Sequence, residues 1–106
     1  MSLPVNFRDL ATDDVRAIHS WYEEQQDGLG SRFVTSLDLA VALVSQHPLS
    51  CPIVHRRVRR ALLHGFPYAL FYLLEAEVII VLACLHQNRD TKTARKRIRS
   101  ESDANR

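Results

Sequence analysis

Apolar side chains recur at steps of three and four along the first half of this chain and at steps of two along the second half. Val15, Ile18, Trp21 and Tyr22 form the stripe of an amphipathic helix. Thr12 is its expected N-cap, and Asp13 and Asp14 follow in the first turn, where carboxylates favour the exposed amides and the helix dipole. Gly28 and Gly30 end the pattern. A second helix is predicted from Ser31 to Gln46, its apolar face made by Phe33, Leu37, Ala40, Val41 and Val44 and widened by Val34 and Leu43. Pro48 stops it, because the residue before a proline disfavours the helical region. Two amphipathic helices joined by so few residues predict an antiparallel hairpin.

Beyond Leu49–Val54, read as a loop, the period falls to two. Val58–Leu63, Tyr68–Leu74 and Val78–Leu85 are predicted strands, with His64–Pro67 and Glu75–Glu77 as turns. Connections this short join only antiparallel neighbours. The last strand is apolar on both faces, which places it inside the sheet rather than at an edge. Residues 3–8 alternate apolar and polar and predict a short edge strand, with Pro4 tolerated only at its start. The expected fold class is α+β: an N-terminal helical hairpin packed on one face of a small, twisted antiparallel β-sheet, with the other face partly open. Residues 1–92 form a single domain in this reading. Residues 93–106 form a basic tail, helical in part and disordered from residue 100 onward.

Composition narrows the picture. The 106 residues allow one core, with 46% of them hydrophobic and 25% charged, as in ordinary globular domains. No apolar run reaches the roughly 18–20 residues of a membrane-spanning helix, and the first residues lack the order of a signal peptide. The expectation is a cytoplasmic protein with no membrane partner. Cys51 and Cys84 belong to no C-x-x-C pair, and the five histidines are scattered. The cysteines are read as buried thiols, and no cofactor or metal is expected. A net charge of +2 hides an asymmetry, for residues 1–50 hold three basic against seven acidic side chains. Residues 86–106 hold seven basic against three acidic, and Arg56, Arg57, Arg59 and Arg60 lie between. Such a basic half suits a partner rich in phosphates or carboxylates, although a merely solvated surface has the same composition.

Three blocks of sequence carry a resemblance. The first is Trp21-Tyr22-Glu23-Glu24-Gln25-Gln26-Asp27-Gly28-Leu29-Gly30-Ser31-Arg32-Phe33; the second runs from Val58-Arg59-Arg60-Ala61-Leu62-Leu63 to Phe66-Pro67-Tyr68-Ala69-Leu70-Phe71-Tyr72. The third is Ile80-Val81-Leu82-Ala83-Cys84-Leu85-His86-Gln87-Asn88-Arg89-Asp90. In this order and spacing they resemble the RelE/ParE superfamily of bacterial type II toxin–antitoxin systems, whose members include plasmid stabilisation proteins. The chain departs from that pattern at Gln87-Asn88 and at Thr91, where proline is usual.

The resemblance implies a growth inhibitor neutralised by a cognate antitoxin, with two different targets in prospect. RelE-like members cut mRNA in the ribosome, which needs an acid/base group and cations around a phosphate. ParE-like members inhibit DNA gyrase by protein contact and need no catalytic residue. For cleavage the candidates are His86, Arg89, Arg59, Arg60 and Tyr72. A histidine beside an always-charged arginine suits proton transfer next to a phosphate, although a strand-end His capping backbone groups and an Arg paired with Asp90 is the plainer reading. Strand alternation puts Arg59 and Arg60 on opposite faces and does not choose between them. Tyr68 and Tyr72 share a face with Leu70 and Leu74, where core packing outweighs base stacking. Trp21 and Tyr22 are the candidate antitoxin-binding residues, alongside burial within the hairpin, and the antitoxin is expected in a groove beside the hairpin or at a sheet edge. His19, His47, His55 and His64 carry no assigned role. The leucine-histidine ending with Arg89-Asp90, and only two lysines in the chain, lean the reading toward the ParE-like branch. The assembly is expected to be a homodimer or a toxin–antitoxin hetero-oligomer.

Overall fold

The computed structural model describes residues 2–87, 92, 93 and 95–97. Arg89 and the tail beyond residue 97 lie outside the described residues. The elements run β1 (Val5–Phe7), α1 (Asp9–Gln25), α2 (Leu29–Gln46), β2 (Ile53–His55), β3 (Val58–Leu62), β4 (Tyr68–Glu75) and β5 (Val78–His86). They build a five-stranded sheet in the order β1-β5-β4-β3-β2. All neighbours are antiparallel except β1, which pairs parallel with β5. The predicted hairpin on an antiparallel sheet is therefore present, and β5 lies inside the sheet as its two apolar faces require.

Three details differ from the expectation. α1 starts at Asp9, so Thr12 is a helical residue whose N–H bonds to the Arg8 carbonyl at 3.0 Å, and the N-cap Arg8 makes no side-chain cap. Ile53–His55 is a short edge strand rather than loop. The sheet face away from the helices is also apolar and closed: Val58, Ala69, Phe71, Leu73, Ile80, Leu82, Ala83 and Leu85 form a second buried cluster there. A bulge makes this possible. Tyr72 pairs with Val81 and Phe71 with Ala83, so Leu82 is an extra residue on β5. Leu82 and Ala83 then both join the second cluster, which strict alternation forbids.

The main core lies between sheet and helices. Ile18 of α1 and Phe33, Leu37, Ala40 and Val44 of α2 meet Leu63, Leu70, Tyr72, Ile79 and Val81. The hairpin that delivers both stripes is closed by one carboxylate. Glu23, near the end of α1, accepts hydrogen bonds from Gly28 N at 3.2 Å, Gly30 N at 2.8 Å and Ser31 N at 3.4 Å. It thereby satisfies the orphan amides that open α2 and sits at the positive end of its dipole. Those backbone bonds, led by the one from Gly28, hold its carboxyl below the usual glutamate range.

Glycine is needed twice at this bend. Gly28 takes φ +88, the left-handed region that side chains disfavour. Gly30 sits where the helices touch: a Cβ there would lie 2.6 Å from Glu23 Cγ and 2.8 Å from the His19 carbonyl oxygen. Gly30→Ala is accordingly expected to cost about 1–3 kcal/mol, since backbone as well as side chain must yield. Urea unfolding measures this; a variant as stable as the parent would show that the helices have room to part.

Candidate functional site

The cleavage candidates take up separate positions in the fold. Tyr72 and Arg59 are cross-strand partners on the helix side of the sheet. Tyr72 is fully buried, and its hydroxyl donates to the Pro48 carbonyl at 2.8 Å. Burial is the main cause that pushes its phenol well above the usual tyrosine value. Arg59 Nη1 donates to the carbonyls of Cys51 at 2.6 Å and Leu49 at 3.2 Å. Together the two side chains fasten the loop between α2 and β2 through the carbonyls of Pro48, Leu49 and Cys51.

Arg60 faces the other way. It pairs with Phe71 across the strands, on the side of the second apolar cluster, and its Nε is buried with no hydrogen-bond partner among the described residues. Arg57 forms an exposed ion pair with Glu75 at 3.5 Å, of the kind that adds little stability.

His86 ends β5 directly opposite Tyr68, the two rings edge to face at 5.6 Å. Register separates this pair from Tyr72 by four residues of β4, or about 13 Å along the strand. A cleft of ≈ 280 Å³ opens beside it between α1 and the end of β5, with Asp14, Ile18, Tyr68, Cys84 and His86 among its walls. Asp14 Oδ2 accepts the Cys84 amide at 2.9 Å. The Arg97 guanidinium forks onto the same carboxylate, Nη1 on Oδ2 and Nη2 on Oδ1, the latter at 3.0 Å. Such a bidentate pair is the strong form of this interaction. The sequence places Asp14 only as a first-turn carboxylate; its partners lie 70 and 83 residues away, and no local pattern announces them. Burial, with Asp14 as a second cause, pushes the Cys84 thiol up to about 12, so it is a packed side chain and not a nucleophile. Cys51 is half-buried in the loop. Among the described residues no group of three or more His, Cys, Asp or Glu side chains is placed to hold a metal, and no helix is long and apolar enough to cross a membrane.

The hairpin signature divides its aromatic pair. Tyr22 is half-buried, stacked on Phe33 at 5.8 Å and edge to face with Phe66 at 5.0 Å. Its neighbour Trp21 is 54% exposed, with its ring edge to face on Tyr22. Tyr22 thus anchors the hairpin to the turn after β3, whereas Trp21 is available to a partner.

A helical hairpin laid on a sheet of this order is the RelE/ParE-like fold, and solved structures share it. The chromosomal ParDE toxin–antitoxin system from P. aeruginosa superposes with a TM-score of 0.71 at 17% identity, over 80% of this chain and 96% of that one. The RelBE2 toxin–antitoxin complex from Mycobacterium tuberculosis gives 0.56 at 18% identity, over 81% and 99%. A search of curated proteins by sequence finds no match. Residues 5–91 match the family described as the ParE toxin of the type II toxin–antitoxin system parDE, and the chain belongs to that family.

The Tyr72 hydroxyl gives a direct check on its role. Tyr72→Phe leaves the Pro48 carbonyl without its donor and is expected to cost about 1–3 kcal/mol in urea unfolding. Growth inhibition per folded molecule should persist; its abolition in a variant that still folds would assign the phenol to chemistry.

Proposed function

We propose that this ParE-family toxin acts by gripping a protein, DNA gyrase, and not by cutting RNA. The observation that carries the reading is the dispersal of the cleavage candidates. Phosphodiester cleavage needs an acid/base group and cations converging on one phosphate. Here Tyr72 and Arg59 are committed to the loop carbonyls, and Arg60 belongs to the opposite face of the sheet. His86 looks onto a cleft whose charged group is the part-buried Asp14 carboxylate, matched by Arg97. With the Arg97 guanidinium turned onto Asp14, no lysine or arginine lines the cleft among the described residues to receive a phosphate. His86 and Arg89 then act as contact residues. Protein contact asks instead for apolar and aromatic side chains at the surface, and Trp21 supplies one. The same reading gives the chain a cognate antitoxin, as in the ParDE and RelBE2 assemblies that share its fold.

Pulse incorporation of labelled thymidine and leucine just after inducing the chain alone separates the targets. Thymidine uptake is expected to fall first with translation spared, and His86→Ala with Arg89→Ala should keep that order of events. Leucine uptake collapsing first, and restored by the same double substitution, would overturn the gyrase reading in favour of mRNA cleavage.

A further inference from the structure

The basic C-terminal part of the chain plays no part in the protein contact proposed above, yet one piece of it is held in place. Residues 92, 93 and 95–97 are helical, and the Arg97 guanidinium forks onto Asp14 of α1. The side chains of that pair are only 18% and 14% exposed, so Arg97 is spent on the attachment. A bidentate pair also fixes the orientation of whatever carries it.

Helix geometry then decides where the remaining cations point. At about 100° per residue, Lys92, Arg95 and Lys96 fall within an arc of roughly 100° on the side away from Arg97. Burial agrees: Thr93 and Arg97 are half-buried, whereas Lys92, Arg95 and Lys96 are exposed. No carboxylate among the described residues pairs with any of the three. On α1, the positions one turn from Asp14 are Leu10, Ala17 and Ile18, none of them charged. The result is three uncompensated positive charges along about 6 Å of helix axis.

Two properties fix what this patch fits. Its charge density is close to that of a nucleic-acid duplex, which carries roughly one negative charge per 1.7 Å of axis. None of the five described residues in the segment is apolar. A protein interface needs buried apolar or aromatic anchors, whereas a phosphate backbone is held by cations alone.

We infer that Lys92, Arg95 and Lys96 form a contact site for the sugar–phosphate backbone of duplex DNA, without regard to base sequence. Charge and placement argue for the polyphosphate; the choice of DNA rests on the gyrase reading, because an enzyme that supercoils DNA holds a duplex beside any protein that grips it. The Asp14–Arg97 pair presents the three cations before the duplex arrives, which removes an ordering cost from binding.

The test is fluorescence anisotropy of the full chain with a labelled duplex. Affinity is expected to fall roughly fortyfold or more between about 50 and 200 mM salt, a logarithmic slope of about −0.9 for each of three phosphates. Two duplexes of unrelated sequence should bind alike, and an RNA duplex no tighter. Lys92→Gln, Arg95→Gln and Lys96→Gln should each take about 0.9 off the slope, and the triple variant about 2.7. An unshifted melting temperature certifies each fold. Arg32→Gln, on α2, should keep the parent's slope. No binding at about 50 mM salt, or a folded triple variant with the parent's slope, would overturn the site. Polyglutamate bound as tightly as the duplex would assign the patch to an acidic protein instead, and RNA bound roughly tenfold tighter would remove DNA as the ligand. A chain that blocks supercoiling but binds no duplex would sink the patch and spare the gyrase reading. One that binds duplex through these cations but leaves supercoiling intact would uphold the patch and sink that reading.

Discussion

The placement of every other element depends on how α1 turns back into α2, and one carboxylate governs that turn. The first amides of a helix have no partners of their own, and here Glu23 takes three of them. Since Glu23 belongs to α1, the cap is also a clamp between the helices. It works only at close range, which is why Gly30 has no space for a Cβ. With the helices held at that distance, Tyr22 and Phe33 stack and reach Phe66 and Tyr68. The aromatic cluster then fixes the hairpin over the start of β4. One end of α2 is thus set by Glu23; the other is set by Ser45, whose hydroxyl donates to the Leu3 carbonyl at 2.6 Å and ties in β1.

The sheet is held to the helices by a second, less obvious set of bonds. Tyr72 and Arg59 were both legible as polar groups on a strand, and both resemble the equipment of a nuclease. Their partners are backbone carbonyls of a loop, a structural duty that consumes the phenol and part of the guanidinium. Asp14 does the same at the other side, closing the Cys84 amide at the edge of β5 and receiving Arg97. An inward-turned carboxylate at a strand edge is one way to keep that edge from pairing with a stray strand. Among the described residues these bonds occupy Arg59, Asp14 and Arg97, while Leu10, Trp21, Leu39 and Leu43 stay exposed on the two helices.

Much of this could be read from the residues. The change of period near residue 50 separates hairpin from sheet, and the runs after it are long enough for alternation to mark three strands. β2 escaped because three residues carry too little pattern, and the start of α1 because its N-cap is Arg8, a residue type that does not announce a helix start. The second apolar cluster escaped because a bulge at Leu82 resets the alternation that the reading relies on. For the site, sequence placed Arg59 and Arg60 on opposite faces but could not say which faced the helices; the register with Tyr72 decides it. The role of Asp14 depends on partners far along the chain, so only the folded structure reveals it.

In the proposed reading this toxin binds its target and does not turn over RNA. Titrating the purified chain against DNA gyrase in a supercoiling assay, beside translating ribosomes loaded with mRNA, tests it most directly. Supercoiling is expected to be lost once toxin is stoichiometric with gyrase, while the mRNA stays intact. Cleaved mRNA at substoichiometric toxin, with supercoiling unaffected, would contradict it.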